Sequence, residues 1–252
     1  MRPAFEVVGQ GSPLVLVPGT FSDRRVWQRV VGSLQRDHRC LLLDPRGTGE
    51  TPDPGTPFTP DDLADDTLAA MDAAGFERSD LVGHSLGAAV ALTIAARFPA
   101  RVRRVVAIGP SLTTDAHLAM LLDHWEALAG SDLDERALAR GLVIDAFGRD
   151  AFERLVPAVV ADWVRRPIAR ETVLRYVDCD RGQDLRPLLS RIDARALVVA
   201  GAEDGLPGPA QAAAVAEAMP DAELSLIEGS GHTPQVERPV AVVRLLSSFL
   251  GS

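Results

Sequence analysis

The sequence predicts an α/β fold: a mostly parallel, doubly wound sheet with helices on both faces and an inserted helical segment. Three observations lead to this prediction. Short apolar runs typical of buried strands alternate with stretches of helical periodicity through most of the chain. A serine between glycines, Ser85, lies where one such run meets a following helix. The alternation stops between about Ser111 and Arg186, where only helical spacing is found.

The strands are predicted from short apolar runs bounded by Gly, Pro or charged residues. They are residues 5–8, 14–17, 40–43, 79–82, 105–108, 196–200 and 224–227. Helices are predicted at 27–34 and 86–98, and a third begins at Thr59. Thr59 is the predicted N-cap because Pro60 suits a first turn and the acids after it face the positive helix end. Gly75 is predicted to end that helix.

Residues 111–185, called the insertion, are predicted to be a helical unit between two strands of a core formed by residues 1–110 and 186–252. Apolar side chains recur there at helical spacing. They are Leu118, Leu121, Leu122, Trp125 and Leu128, then Leu138, Leu142, Ala146 and Phe147, then Val156, Val159, Val160, Trp163 and Val164. Five aromatic residues either line a pocket or pack between helices: Trp125, Phe147, Phe152, Trp163 and Tyr176.

The most informative motif is Gly83-His84-Ser85-Leu86-Gly87, which fits G-x-S-x-G. A strand before it and a helix after it would hold Ser85 exposed on a sharp turn, and the glycines leave room where a Cβ would clash. The helix would also point its first N–H groups at the place where an oxyanion develops. Ser85 is therefore the predicted nucleophile. The competing interpretation is a glycine-rich turn with an incidental serine.

A nucleophilic serine needs a base and an acid that orients the base. Of five histidines, His232 lies in a Gly-rich loop after the predicted strand 224–227, where it can reach the strand ends. His84 lies next to Ser85 in the chain, so its side chain is expected to point elsewhere. The acid candidate is Asp204, which follows the predicted strand 196–200 and has Glu203 as its neighbour.

The order Ser85, Asp204, His232 resembles that of the α/β-hydrolase family. The resemblance runs almost end to end. Residues 43–51 resemble the family's D-x-R-G-x-G-x-S loop, with Thr51 in place of Ser, and residues 231–239 resemble its G-H-x-x-x-x-E-x-P segment. It implies a Ser-His-Asp triad, and it implies that the insertion is a helical cap that covers the serine and shapes the substrate pocket.

The sequence departs from the family at the oxyanion hole. The family usually has His-Gly after its own third strand. At the corresponding place in this chain, after the predicted strand 14–17, the sequence is Pro18-Gly19. Because the donor is a main-chain N–H, the hole can survive the loss of the histidine. Thr20 best matches the donor position, with Phe21 next, and the N–H of Leu86 is the second donor implied by the resemblance.

Composition agrees with one enzyme domain. The chain has 252 residues, a net charge of −9 and two cysteines. The sequence has no cluster of basic residues that could bind along a phosphate backbone, so nucleic acid is not an expected partner. It has no Cys/His cluster with metal-ligand spacing, and neither a metal nor another cofactor is expected. With no apolar signal region and no membrane-spanning run, we expect a cytoplasmic protein that acts on a small molecule without a membrane partner. The oligomeric state stays open.

The resemblance implies a serine hydrolase that cleaves an ester, thioester or lactone of a small, largely apolar substrate through an acyl-enzyme. Other reactions on the same triad remain open: carbon–carbon bond hydrolysis, a lyase or cyclase step, and perhydrolysis. A non-enzymatic small-molecule receptor is a further alternative, although a receptor has no need of a complete triad.

Overall fold

Seven strands form one sheet in the computed structural model, which describes residues 1–251. The order across the sheet is β1-β3-β2-β4-β5-β6-β7, and only β1 runs antiparallel to its neighbour. The mostly parallel sheet predicted from the sequence is confirmed. The strands are β1 (Phe5–Val8), β2 (Ser12–Val17), β3 (His38–Leu43), β4 (Ser79–His84), β5 (Val102–Ile108), β6 (Arg195–Gly201) and β7 (Ala222–Ile227).

Helices connect the strands and pack on both faces of the sheet. They are α1 (Gln28–Leu34), α2 (Pro60–Ala73), α3 (Leu86–Arg97), α4 (Ala116–Ala129), α5 (Glu135–Val143), α6 (Arg149–Arg165), α7 (Arg170–Arg181), α8 (Arg186–Leu189), α9 (Gly208–Glu217), α10 (Pro234–Glu237) and α11 (Pro239–Leu250). Short 3-10 turns occupy Arg24–Trp27 and Pro99–Arg101. Within the described residues, no helix is both long and apolar enough to cross a bilayer.

Alternation along each strand divides the core into two apolar layers. In β2, Val15 and Val17 face one layer while Leu14 and Leu16 face the other, as the two-residue period of a strand requires. The first layer is shared with α2, α3, α8 and α9, and the second with α1 and α11. The central parallel strands β2, β4, β5 and β6 are buried on both faces for most of their length, which explains why they are continuous apolar runs in the sequence.

The insertion contains four helices, α4 to α7, and no strand lies between residues 111 and 185. The predicted stripes of α4 and α6 lie within those helices, but the stripe predicted for α5 extends too far, because α5 ends at Val143 and Ala146 and Phe147 lie in the loop after it. The fourth, α7, was not predicted, because it is rich in charged residues and its apolar positions are few. A single β-bridge joins Thr113 to Asp184 and brings the two ends of the insertion together.

Local signals set the helix boundaries as predicted. Thr59 caps α2 in a reciprocal pair with Asp62, and Pro60 occupies the first turn. Helix α2 ends at Ala73, two residues before Gly75, which has a φ of 72°. Trp27, predicted to be helical, lies in the 3-10 turn that leads into α1.

Candidate active site

Ser85 occupies a strained turn between β4 and α3. Its φ of 55° and ψ of −123° lie outside the regions that side chains favour, a conformation that costs about 1–3 kcal/mol. The turn depends on its glycines: a Cβ on Gly83 would lie 2.0 Å from the carbonyl oxygen of Gly87, and one on Gly87 would lie 2.3 Å from that of Val17. The sequence therefore holds Ser85 at the carboxyl end of the sheet, as the motif predicted.

His232 and Asp204 form a buried pair on the loops that follow β7 and β6. Their Nδ1 and Oδ2 atoms lie 2.9 Å apart. Since an ionised carboxylate only accepts, Nδ1–H of His232 donates and Nε2 is left free. Asp204 also accepts the N–H of Leu206 at 2.9 Å. Burial acts to raise the pKa of Asp204, but His232 and these hydrogen bonds outweigh burial and hold the pKa below its ordinary value.

Ser85 and His232 line one cavity of about 580 Å³ between the sheet and the insertion. Ser85 is partly exposed to it, whereas His232 is only 4% exposed. Among residues 1–251, Ser85 Oγ makes no hydrogen bond, so its bond to His232 is not formed in this structure. Such a bond is often long before substrate binds, and the shared cavity keeps the two side chains available to each other.

The loop after β2 supplies the candidate oxyanion donors. No hydrogen bond within the described chain uses the main-chain N–H of Thr20, Phe21 or Leu86. Phe21 has a φ of 59°, and a Cβ on Gly19 would lie 2.8 Å from the Cβ of Ser85. Pro18 thus leaves a tight turn directly beside the serine, with unpaired donors available to an oxyanion.

The side chain of Thr20 bonds to the insertion. Its hydroxyl donates to Oδ2 of Asp180, near the end of α7, at 2.7 Å. Burial raises the pKa of Asp180 to about 7, although the Thr20 hydroxyl and His232 oppose that shift. Asp180 was not predicted from the sequence, because it lies 160 residues from its partner and has no motif around it.

The expectation that His84 points away from the site was wrong. Its ring lies 4.9 Å from the ring of His232, centroid to centroid, and it lines the same cavity. Nε2–H donates to the main-chain oxygen of His232 at 2.9 Å. Burial, followed by the neighbouring His232, lowers the pKa of His84 to about 3, so the ring is neutral and acts as a fixed donor to the loop.

Two glutamates, the buried Glu237 and the exposed Glu203, tie the site loops to the N-terminus of α6. Oε2 of Glu237 accepts the N–H groups of Gly148 at 2.9 Å and Gly231 at 3.0 Å, and its Oε1 accepts that of Thr233 at 3.1 Å. Glu203 accepts the N–H of Arg149 at 2.8 Å. Glu237 is the glutamate of the G-H-x-x-x-x-E-x-P segment, and its carboxylate joins the His232 loop to the start of α6.

Thr51, which stands in place of the serine of the D-x-R-G-x-G-x-S motif, is hydrogen-bonded on both sides of its hydroxyl. Its hydroxyl donates to the main-chain oxygen of Asp44 at 2.6 Å and accepts the N–H of Ala4 at 2.8 Å. The carboxylate of Asp44 in turn accepts the N–H groups of Arg24 and Glu50, each at 2.9 Å. These bonds fix the loop that lies beside the cavity at Gly47.

The predicted pocket residues divide into two groups. Trp125, Phe147 and Trp163 line the cavity. Tyr176 does not: it is fully buried and donates its hydroxyl to the main-chain oxygen of Arg46 at 2.9 Å. Phe152, 37% exposed, also lies outside the cavity wall. No group of three or more His, Cys, Asp or Glu side chains suited to a metal gathers in residues 1–251.

Comparison with known proteins assigns the family. A model of the alpha/beta hydrolase family matches residues 14–245, which is most of the chain. The chain belongs to this family. The protein is thus an alpha/beta hydrolase, and the seven-stranded sheet agrees with that fold.

This hydrolase is similar to enzymes of known name over nearly its whole length. A pyrrolizixenacetamide deacetylase of Xenorhabdus hominickii is 31% identical over 248 residues, covering 96% of this chain and 92% of that protein. A 2-(acetamidomethylene)succinate hydrolase of Mesorhizobium japonicum is 27% identical over 260 residues, covering 96% and 89%. The crystal structure of a hydrolase from Pseudomonas aeruginosa PA01 superposes with a TM-score of 0.89 at 27% identity, covering 98% and 94%.

Proposed function

We propose that this hydrolase cleaves an ester, thioester or lactone of a small molecule through an acyl-enzyme on Ser85. The observation that carries the proposal is the cavity that Ser85 shares with a buried His232–Asp204 pair. A strained serine, a histidine with Nε2 free and an acid held ionised are the three parts of a nucleophilic triad.

The chemistry follows from these positions. Nε2 of His232 takes the proton from Ser85 Oγ as that oxygen attacks the acyl carbonyl, and Asp204 stabilises the imidazolium. The N–H groups of Leu86 and of Thr20, or failing Thr20 of Phe21, hold the tetrahedral oxyanion. His232 then protonates the leaving group and activates the water that hydrolyses the acyl-enzyme. Metal and cofactor are not part of this sequence of steps.

The insertion acts as the cap of this site. Phe21, beside the oxyanion loop, packs edge-on against Trp125 at 5.3 Å and Trp163 at 6.1 Å, centroid to centroid. Leu142, Val143 and Val159 add to the same wall. These apolar side chains favour an apolar acyl group in the part of the cavity near Ser85.

An amide is the second candidate substrate. The names of the two relatives above, a deacetylase and a 2-(acetamidomethylene)succinate hydrolase, describe enzymes that act on acetamide compounds. The triad serves an amide by the same steps, with His232 protonating the amine as it leaves. A p-nitroacetanilide assayed beside p-nitrophenyl acetate compares the two substrate classes directly.

Covalent labelling tests the nucleophile. A fluorophosphonate should label Ser85 and no other serine, as identified by peptide mass spectrometry, and Ser85→Ala should abolish both labelling and ester turnover. Ser247→Ala, on the exposed side of α11, is the matched control and should behave as wild type. Labelling elsewhere, or none on folded protein, contradicts the proposal.

A further inference from the structure

Six charged residues line the cavity of Ser85, and together they form the entrance cluster. Its members are Asp23, Arg25, Arg29, Asp162, Arg165 and Arg166. No other Asp, Glu or Arg in the described chain lines this cavity. Arg25 is 38% exposed, Arg165 65% and Arg166 52%, whereas His232 is almost fully buried. The cluster therefore lies at the solvent end of the cavity and the triad at its inner end.

The entrance cluster is short of negative charge. Four guanidinium groups face two carboxylates, an excess of two positive charges in a chain whose net charge is −9. Asp162 alone serves three of the arginines: it bonds Arg165 at 2.9 Å, contacts Arg166 and lies 3.8 Å from Arg25. Within the described residues, Arg29 bonds one main-chain oxygen, that of Val236, at 3.3 Å, and no carboxylate.

Guanidinium is well suited to bind an anion here. It remains charged at any working pH and presents a planar pair of donors that matches the oxygens of a carboxylate or phosphate. The cluster draws on both sides of the cavity, since Arg25 and Arg29 belong to the core and Arg165 and Arg166 to the end of α6. An anion between them would be bonded by core and insertion together.

We propose that the entrance cluster binds an anionic group, a carboxylate or a phosphate, on the part of the substrate that points away from Ser85. The substrate is then amphiphilic: an apolar acyl segment fills the inner cavity and an anionic end bonds the arginines. This inference rests on the proposed function only in placing the reacting carbonyl at Ser85. The inference adds a charged end to the largely apolar substrate that was expected from the sequence.

The test compares matched esters. The 4-nitrophenyl monoesters of adipate, suberate and sebacate are assayed beside the methyl-capped diesters of the same length, and the ratio of their kcat/KM values is the readout. In Arg165→Gln/Arg166→Gln this ratio should fall about tenfold, the effect of losing two partly exposed ion pairs. Arg154→Gln, exposed on the same helix and outside the cavity, is the control and should keep the wild-type ratio.

A second variant should change the ratio of kcat/KM values in the opposite direction. Asp162→Asn removes the carboxylate that competes with the substrate for three arginines, so the ratio should rise severalfold. General damage to α6 would lower turnover of both esters and leave the ratio unchanged. Hexyl phosphate and monomethyl adipate, compared as inhibitors of the neutral ester, distinguish phosphate from carboxylate as the preferred group.

Binding separates this inference from the proposed function. Calorimetry of monomethyl adipate on Ser85→Ala measures the anion site without any turnover, and affinity should weaken with added salt and in the double arginine variant. If neutral esters are not cleaved but this binding is present, the proposed function fails and the anion site stands. Equal ratios in wild type, the arginine variant and Asp162→Asn would overturn the anion site.

Discussion

Two regions behind the cavity wall each present one aspartate to the site, and they do so in opposite ways. The loop after β6 places Asp204 against His232, whose charge and hydrogen bond help to hold the pKa of Asp204 below its ordinary value. The end of α7 places Asp180 against the neutral hydroxyl of Thr20, and burial raises the pKa of Asp180 to about 7. Burial acts to raise the pKa of both acids, so the partner makes the difference.

The difference assigns separate work to the two acids. An acid held ionised can orient a histidine and stabilise its charged form, which is what Asp204 is placed to do. Asp180 does not line the cavity and is bonded to the hydroxyl of Thr20, so it is placed to position the loop beside it. Paired titratable groups whose surroundings move their pKa values apart commonly mark different roles in one site.

The largest expected effect is at Asp204. Asp204→Asn should fold normally and lower kcat on the order of 10⁴-fold, because the amide no longer holds His232 in the required tautomer. Glu203→Gln is the control: its carboxylate bonds the N–H of Arg149 rather than His232, so kcat should change only mildly. Steady-state kinetics on a p-nitrophenyl ester measures both, and the reverse ranking would make Glu203 the acid.

The next effect is at the oxyanion loop. Thr20→Pro removes the main-chain N–H and should reduce kcat about 10²–10³-fold, the scale of one lost oxyanion donor. Thr20→Ala and Thr20→Val keep the N–H and should retain most of kcat, although they lose the bond to Asp180. Thermal melts establish that each variant is folded. Near-normal kcat in Thr20→Pro would place the donor elsewhere, with Phe21 as the first alternative.

The smallest effect is at Asp180, and it depends on pH. The folded-state pKa, about 7, lies above the ordinary value of 3.8, so the folded protein binds this proton more tightly than the unfolded chain. Stability from Asp180 is therefore lost as pH rises from about 4 to 7. In Asp180→Asn the amide oxygen can still accept a hydrogen bond from the Thr20 hydroxyl. Because the amide does not titrate, this variant should not lose stability over that pH range.

Melting temperatures test the direction of this pH dependence. The Tm of Asp180→Asn minus that of wild type should be a few degrees larger at pH 8 than at pH 4. Asp178→Asn, exposed on the same helix, should show no such trend. A constant difference, or one that shrinks as pH rises, would mean that Asp180 is ionised across this range and that the comparison with Asp204 fails.

Sequence patterns were informative where function depends on local structure. Ser85 and Asp204 follow buried strands and His232 follows the edge strand β7, and the ends of parallel strands meet at one edge of the sheet, so chain order was enough to bring them together. His84 and Asp180 were missed because their partners are set by packing between distant segments. The sequence left open whether Tyr176 lines the pocket or packs, because helical spacing does not distinguish a side chain that faces a cavity from one that packs against another segment.

The bonds of the insertion also determine where the cavity opens. Residues 146–149 are bonded to the loops of Asp204 and His232, partly through Glu203 and Glu237, and α7 is bonded to the core through Tyr176 and Asp180. Between these anchors, the end of α6 contacts the core through Trp163, which packs on Phe21, and through the exposed pair of Asp162 and Arg25, and such ion pairs contribute less than about 1 kcal/mol. The insertion is thus bonded more firmly beside the catalytic loops than at the arginines, so we expect a substrate to enter the cavity past this charged edge.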